Sequence, residues 1–122
     1  MLYSPAAHEP LTEARWDAGK ARDAIAAIVA EAKQAFDDGW PVHPLDEDEW
    51  TPTKPRTLYL GGAGVVAALH RLGSERDWVP YLERAVEEPD FPDEDTERSL
   101  WGGEVGVRLV LQRLAPSREN RE

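Results

Sequence analysis

This sequence predicts an all-α fold built from helical hairpin repeats, on three observations. Apolar residues recur at steps of three and four, the period of a helix face. The stretches between these runs are rich in proline and carboxylates, which break helices and leave few donors for a sheet. The two most apolar blocks also align with one another at a constant offset, the mark of a repeat architecture.

The first element is expected from Thr12 to Phe36, where Ala14, Ala18, Ala21, Ile25, Ile28, Val29, Ala32 and Phe36 fall on one face. Thr12 is the expected cap, and Gly39 after Asp37-Asp38 the expected stop. Arg15, Lys20, Arg22, Glu31 and Lys33 give this helix a wet face. Residues 40–56 carry four prolines and the run Asp46-Glu47-Asp48-Glu49, so they read as a loop. Trp40 and Trp50 mark that loop as packed across a helix end.

A second helix is expected over Val65–Leu72, apolar nearly all round and therefore buried, with Gly73 ending it. Asp77 is placed to cap a third, Trp78–Glu88, whose Pro80 sits in the first turn where a missing N–H is harmless. Trp78, Val79, Leu82, Ala85 and Val86 form its inward face. After a second acidic, Pro-rich loop, Val105–Leu114 is again apolar on most sides and is read as a second buried helix. The order amphipathic, buried, amphipathic, buried describes two hairpins, about 12–73 and 74–115, followed by a polar tail at 116–122.

The alignment is specific. Thr57-Leu58-Tyr59-Leu60-Gly61-Gly62-Ala63-Gly64-Val65 leads into its helix as Ser99-Leu100-Trp101-Gly102-Gly103-Glu104-Val105-Gly106-Val107 leads into the other, at an offset of 99 − 57 = 42 residues. The shared pattern is [ST]-L-[YW]-x-G-x-x-G-V-x-x-x-L-x-R-L. Two amphipathic helices aligned by chance would match leucines, but not a glycine pair with an aromatic two residues before it. Glycine within a helix costs about 0.5–1 kcal/mol against alanine, so its use in both copies points to a packing need. Gly61, Gly64, Gly103 and Gly106 are expected to leave the first turn bare so that a neighbouring helix can pack closely, with Leu58, Tyr59, Leu100 and Trp101 leading the chain in. Two readings compete with it: that these glycines merely start their helices, and that a ligand approaches the bare backbone.

Composition excludes several functions. The chain has 122 residues, no cysteine, and 24 acidic against 14 basic side chains, a formal charge of −10. Nucleic-acid binding is disfavoured, because basic side chains must replace phosphate counterions. Thiolate metal sites and cysteine nucleophiles are ruled out of this chain, and no catalytic or metal-ligating residue is assigned. No apolar run approaches the roughly 20 residues that cross a bilayer, and the expected location is the cytoplasm. Gly62-Ala63-Gly64-Val65-Val66-Ala67 matches a dinucleotide fingerprint, but Pro52 and Pro55 crowd the strand it needs and the second motif lacks the pattern. His8, His43 and His70 have no ligand spacing. The acidic runs at Asp46–Glu49 and Asp93–Asp95 lack calcium-loop spacing and read as solvated loop charge.

The doubled motif, with the ending Leu109-Val110-Leu111-Gln112-Arg113-Leu114-Ala115-Pro116-Ser117, resembles the Gly-rich repeats of the lanthionine synthetase C-like proteins. That resemblance implies part of an (α/α) toroid, with the Gly motifs at the N-terminal ends of inner helices. The family's cyclases use zinc, held by two Cys and one His late in the chain, to activate a peptide Cys thiol for addition to a dehydrated Ser or Thr. With two repeats and no cysteine, this chain is expected to be an N-terminal scaffold portion that is not catalytic alone, with zinc bound only in a C-terminal remainder. The implied partners are a peptide substrate or the rest of the ring. The other expectation is a small interaction module that self-associates through its open apolar edge, or binds a protein partner.

Overall fold

The computed structural model describes residues 14–47, 52–90 and 98–116. Among them are four helices and no strand: α1 (Ala18–Gln34), α2 (Gly62–Arg71), α3 (Val79–Glu87) and α4 (Glu104–Leu114). The fold is all-α. No helix among the described residues is long and apolar enough to cross a membrane.

α1 starts later than the periodicity suggests. Residues 14–17 are not helical, and Asp17 caps the helix by accepting from the Gly19 and Lys20 N–H groups. Carboxylate capping of this kind satisfies donors that have no intrahelical partner. Thr12, the expected cap, lies outside the described residues. The helix also ends before Gly39, with Ala35 at its C-cap, and the chain then turns through Asp38 (φ 57°) and Gly39 (φ 140°).

α2 and α3 end and begin close to their sequence signals. Gly73 (φ 85°) takes the left-handed position after α2, donating to the His70 carbonyl while the Ser74 N–H reaches the Leu69 carbonyl. This Schellman pairing is what glycine after a helix permits. The Asp77 carboxylate accepts from the Val79 N–H at 3.0 Å, and Pro80 follows in the first turn.

The core lies between α2, α3 and α4. Val66, Leu69, Trp78, Tyr81, Leu82, Ala85, Val107, Val110 and Leu111 are buried there. α4 packs directly on both α3 and α2. α1 has no buried residue and joins through Val29, Ala32 and Phe36 near its C-terminal end. Its attachment is aromatic: Phe36 meets Trp40, Trp78 and Tyr81 edge-on, with ring centroids 5.0, 5.2 and 5.6 Å away. Trp40 Nε1 donates to the Ala32 carbonyl at 2.8 Å, tying the start of the loop back to α1. Arg76 stacks over Phe36 and Trp78 at 4.4 and 4.3 Å, a cation held on two ring faces. Trp40 is thus packed across a helix end; Trp50 lies outside the described residues.

The expectation that α2 and α4 are buried all round is corrected. Each buries one stripe, and Leu72, Val105 and Leu109 are exposed. A helix apolar on most sides needs neighbours on most sides, and here each has them on only part of its circumference. α1 likewise leaves Ile25 and Ile28 exposed on the face that the periodicity assigned to the core.

Candidate functional site

The two glycine motifs lie side by side at the N-terminal ends of α2 and α4, and they are built alike. Each helix begins from an extended glycine: Gly61 at φ −126°, ψ −172° and Gly103 at φ −129°, ψ −169°. A Cβ on Gly64 would collide with the Leu58 carbonyl oxygen, and one on Gly106 with the Leu100 carbonyl oxygen. The offset is six residues in both copies (64 − 58 and 106 − 100). The backbone that needs the bare first turn is therefore the motif's own lead-in, folded over the helix it precedes. A Cβ on Gly61 would collide with the Pro55 carbonyl and the Thr57 N–H group in the same way.

These contacts use up the donors at the start of α2. Its Gly62 N–H donates to the Pro55 carbonyl at 2.8 Å and its Ala63 N–H to the Arg56 carbonyl at 3.2 Å. An anion arriving at this helix end would have to displace backbone partners already in place. At α4 the lead-in turn is held by the Ser99 hydroxyl, which accepts from the Trp101 and Gly102 N–H groups, each at 3.2 Å. Thr57 occupies the equivalent place, but its hydroxyl makes no such bond. Tyr59 N–H instead crosses to the Trp101 carbonyl at 2.9 Å, joining one motif to the other.

Tyr59 and Trp101 meet edge-on with ring centroids 6.4 Å apart and line a shallow apolar cleft of about 250 Å³. Both rings remain largely exposed, at 74% and 60%. The structure brings all eight motif residues to one end of the helix pair, where the cleft between Tyr59 and Trp101 is apolar; Glu104 begins α4 at the same end and pairs with Arg108.

A polar cluster behind motif one escaped the sequence reading. Tyr81 projects from α3 so that its hydroxyl lies against Gly62, where any Cβ would collide with it. Burial is the main cause that pushes the Tyr81 hydroxyl up to about 12, and the hydroxyl has no hydrogen-bond partner among the described residues. Asp90 accepts from the Arg56 N–H at 3.0 Å and is likewise raised from the ordinary carboxylate range by burial. Arg56 donates to the Glu88 carbonyl at 2.7 Å, stitching the lead-in of α2 to the end of α3. The sequence signal was available only as Gly62, an extra glycine next to Gly61 with no counterpart in the second motif. A tyrosine that holds its proton up to about pH 12 is a poor base at neutral pH, so this cluster reads as packing.

The histidines stand apart from this end. His70 is exposed near the end of α2, the His43 Nδ1 accepts from the Leu45 N–H at 3.1 Å, and His8 lies outside the described residues. The run Asp93-Glu94-Asp95 and the residues Asp48-Glu49 lie outside them as well. Among the described residues no three potential ligands gather. With no cysteine in the chain, the residues present do not fit the thiolate zinc centre of the lanthionine synthetase C-like cyclases.

No protein-family model matches the chain, and neither a curated protein nor a solved structure does.

Proposed function

We propose that this chain is a non-catalytic helical-repeat scaffold, the N-terminal portion of a lanthionine synthetase C-like protein, in which α2 and α4 serve as neighbouring inner helices of an (α/α) toroid. The observation that carries this reading is the duplicated turn, with the same glycine entry angles and the same carbonyl over Gly64 and Gly106. The exposed Tyr59–Trp101 cleft at the helix N-termini is the surface through which such a scaffold would touch a peptide in the cytoplasm, by apolar contact. No step of chemistry is assigned to these residues.

Two experiments test it. In a crystal structure, residues 57–72 should superpose on 99–114 turn for turn; a strand at either lead-in would overturn the repeat. With zinc and a peptide carrying a cysteine and a dehydroalanine, the purified chain should form thioether at the background rate. Chelator-sensitive acceleration would overturn the non-catalytic reading.

A second reading, an interaction module that works through its open edges, is favoured by the unequal burial of the two motifs. Residues at equivalent positions differ in exposure, and they differ in one direction on each flank of the pair.

A further inference from the structure

The contact that joins motif one to motif two has a donating side and a receiving side. From motif one, Leu58 stands over Gly106, with its Cβ 2.8 Å from where a Cβ on that glycine would lie, and Tyr59 N–H donates to the Trp101 carbonyl. One turn further on, Ala67 faces Val110 and Leu114 across a shared small cavity.

Each side has an unused copy in the other motif. On the donating side, Leu58 and Ala67 are half-buried and Ala63 is fully buried, whereas their equivalents Leu100, Leu109 and Val105 are exposed, Val105 at 47%. On the receiving side, Gly106 and Val110 are buried and Leu114 half-buried, whereas Gly64 is half-buried and Ala68 and Leu72 are exposed. Nothing among the described residues covers Gly64 except its own lead-in Leu58. Gly64, Ala68 and Leu72 lie at i, i+4 and i+8, one stripe along α2.

We infer that a second copy of this chain docks head to tail, with Leu100, Val105 and Leu109 of one copy on Gly64, Ala68 and Leu72 of the next. The inference rests on the module reading and repeats, between chains, the contact already made within one. A free Leu knob and a free Gly hole on opposite flanks are complementary to each other and not to themselves. The pairing is therefore heterologous, and it grows into a ring or an open chain instead of stopping at a twofold dimer. Trp101 would meet Tyr59 of the next copy as Tyr59 meets Trp101 within one. Its N–H, now on the Ser99 hydroxyl at 3.2 Å, is the equivalent of the donor that crosses between the motifs.

Two charges temper the contact. Glu104 and Arg108, which stand where motif one has Gly62 and Val66, pair with each other at i, i+4 and so present no lone charge to the partner. Each copy carries a formal charge of −10, so mutual repulsion weakens association at low salt and screening restores it.

Sedimentation velocity of the whole chain over a range of concentrations tests this. Wild-type protein should pass from monomer to larger species as concentration rises, more readily at higher salt. Leu100→Asp and, on the other flank, Ala68→Glu should each weaken assembly by about tenfold or more, with unchanged melting at low concentration because both positions are exposed. Leu109→Glu is a second lesion on the first flank. Mixed in equal amounts, Leu100→Asp and Ala68→Glu should form a one-to-one pair and stop there, since each keeps the flank that the other lacks. Wild-type protein that stays monomeric, or a single-flank variant that still assembles, would overturn the head-to-tail pairing. Either result would leave the repeat itself standing, because that is tested by superposing the two motifs.

Discussion

At Gly106 the neighbouring motif leans in, while at Gly64, among the described residues, only the motif's own lead-in does. The glycine entry angles and the carbonyl over each first turn are the same in both, so the difference shows what a neighbour adds to such a turn: burial of the bare glycine face and of the leucine placed over it. Motif one rests on α3 at its core-facing side, where the Tyr81 hydroxyl lies against Gly62. Each motif is covered by the other on one flank and, among the described residues, open on its far flank, and the open flanks are opposite.

The largest effect should come from filling the bare turns. Gly106→Leu would meet both a carbonyl oxygen and the Leu58 side chain, and is expected to cost about 3 kcal/mol or to prevent folding. Gly64→Leu meets the carbonyl alone and should cost somewhat less, as read from chemical denaturation of the two variants. Gly73→Ala, where a Cβ would meet nothing but φ is 85°, should cost about 1 kcal/mol from backbone strain alone. Equal losses at Gly73 and Gly106 would break the claim that close approach sets the motif.

Ser99 and Thr57 give the next contrast. Ser99→Ala removes an acceptor shared by two N–H groups and should cost about 1 kcal/mol, whereas Thr57→Ala should cost close to nothing through its hydroxyl. Matched losses in thermal melts would mean that the two lead-in turns are held alike.

The smallest effect concerns Tyr81. The folded chain holds its proton up to about 12, while an unfolded tyrosine releases it near 10.0. Between these values the unfolded state binds fewer protons, so this contribution to stability is complete below pH 10 and is lost as pH rises towards 12. Tyr81→Phe should flatten that part of the stability profile and leave neutral-pH stability nearly unchanged, since the hydroxyl has no partner among the described residues. An unchanged alkaline profile would place Tyr81 in water and away from Gly62.

The helix order and the likeness of the two glycine turns were legible in the sequence because periodicity and glycine spacing are local. The Schellman turn at Gly73 follows from a single residue, whereas the N-cap position of α3 is Trp78, with the Asp77 carboxylate reaching the Val79 N–H from one residue earlier. The start of α1 was misjudged because apolar spacing continues through Ala14 while the stronger carboxylate cap at Asp17 sets the boundary. Burial was misjudged for the same kind of reason: composition records how apolar α2 and α4 are, but not how many neighbours cover them. Of the site, the eight motif residues were legible. The reach of Tyr81 to Gly62, and of Leu58 to Gly106, depends on contacts between elements that no spacing encodes.

The unequal use of one repeated contact is tested most directly by Leu58→Ala and Leu100→Ala, with stability measured for each at low and at high protein concentration. Leu58→Ala should lose about 2 kcal/mol at both concentrations, because its contact lies within one chain. Leu100→Ala should match wild type when dilute and fall behind it when concentrated, because assembly stabilises only the chain that can assemble. Equal losses for the two variants in dilute solution would contradict the assignment of one contact as used and its repeat as open.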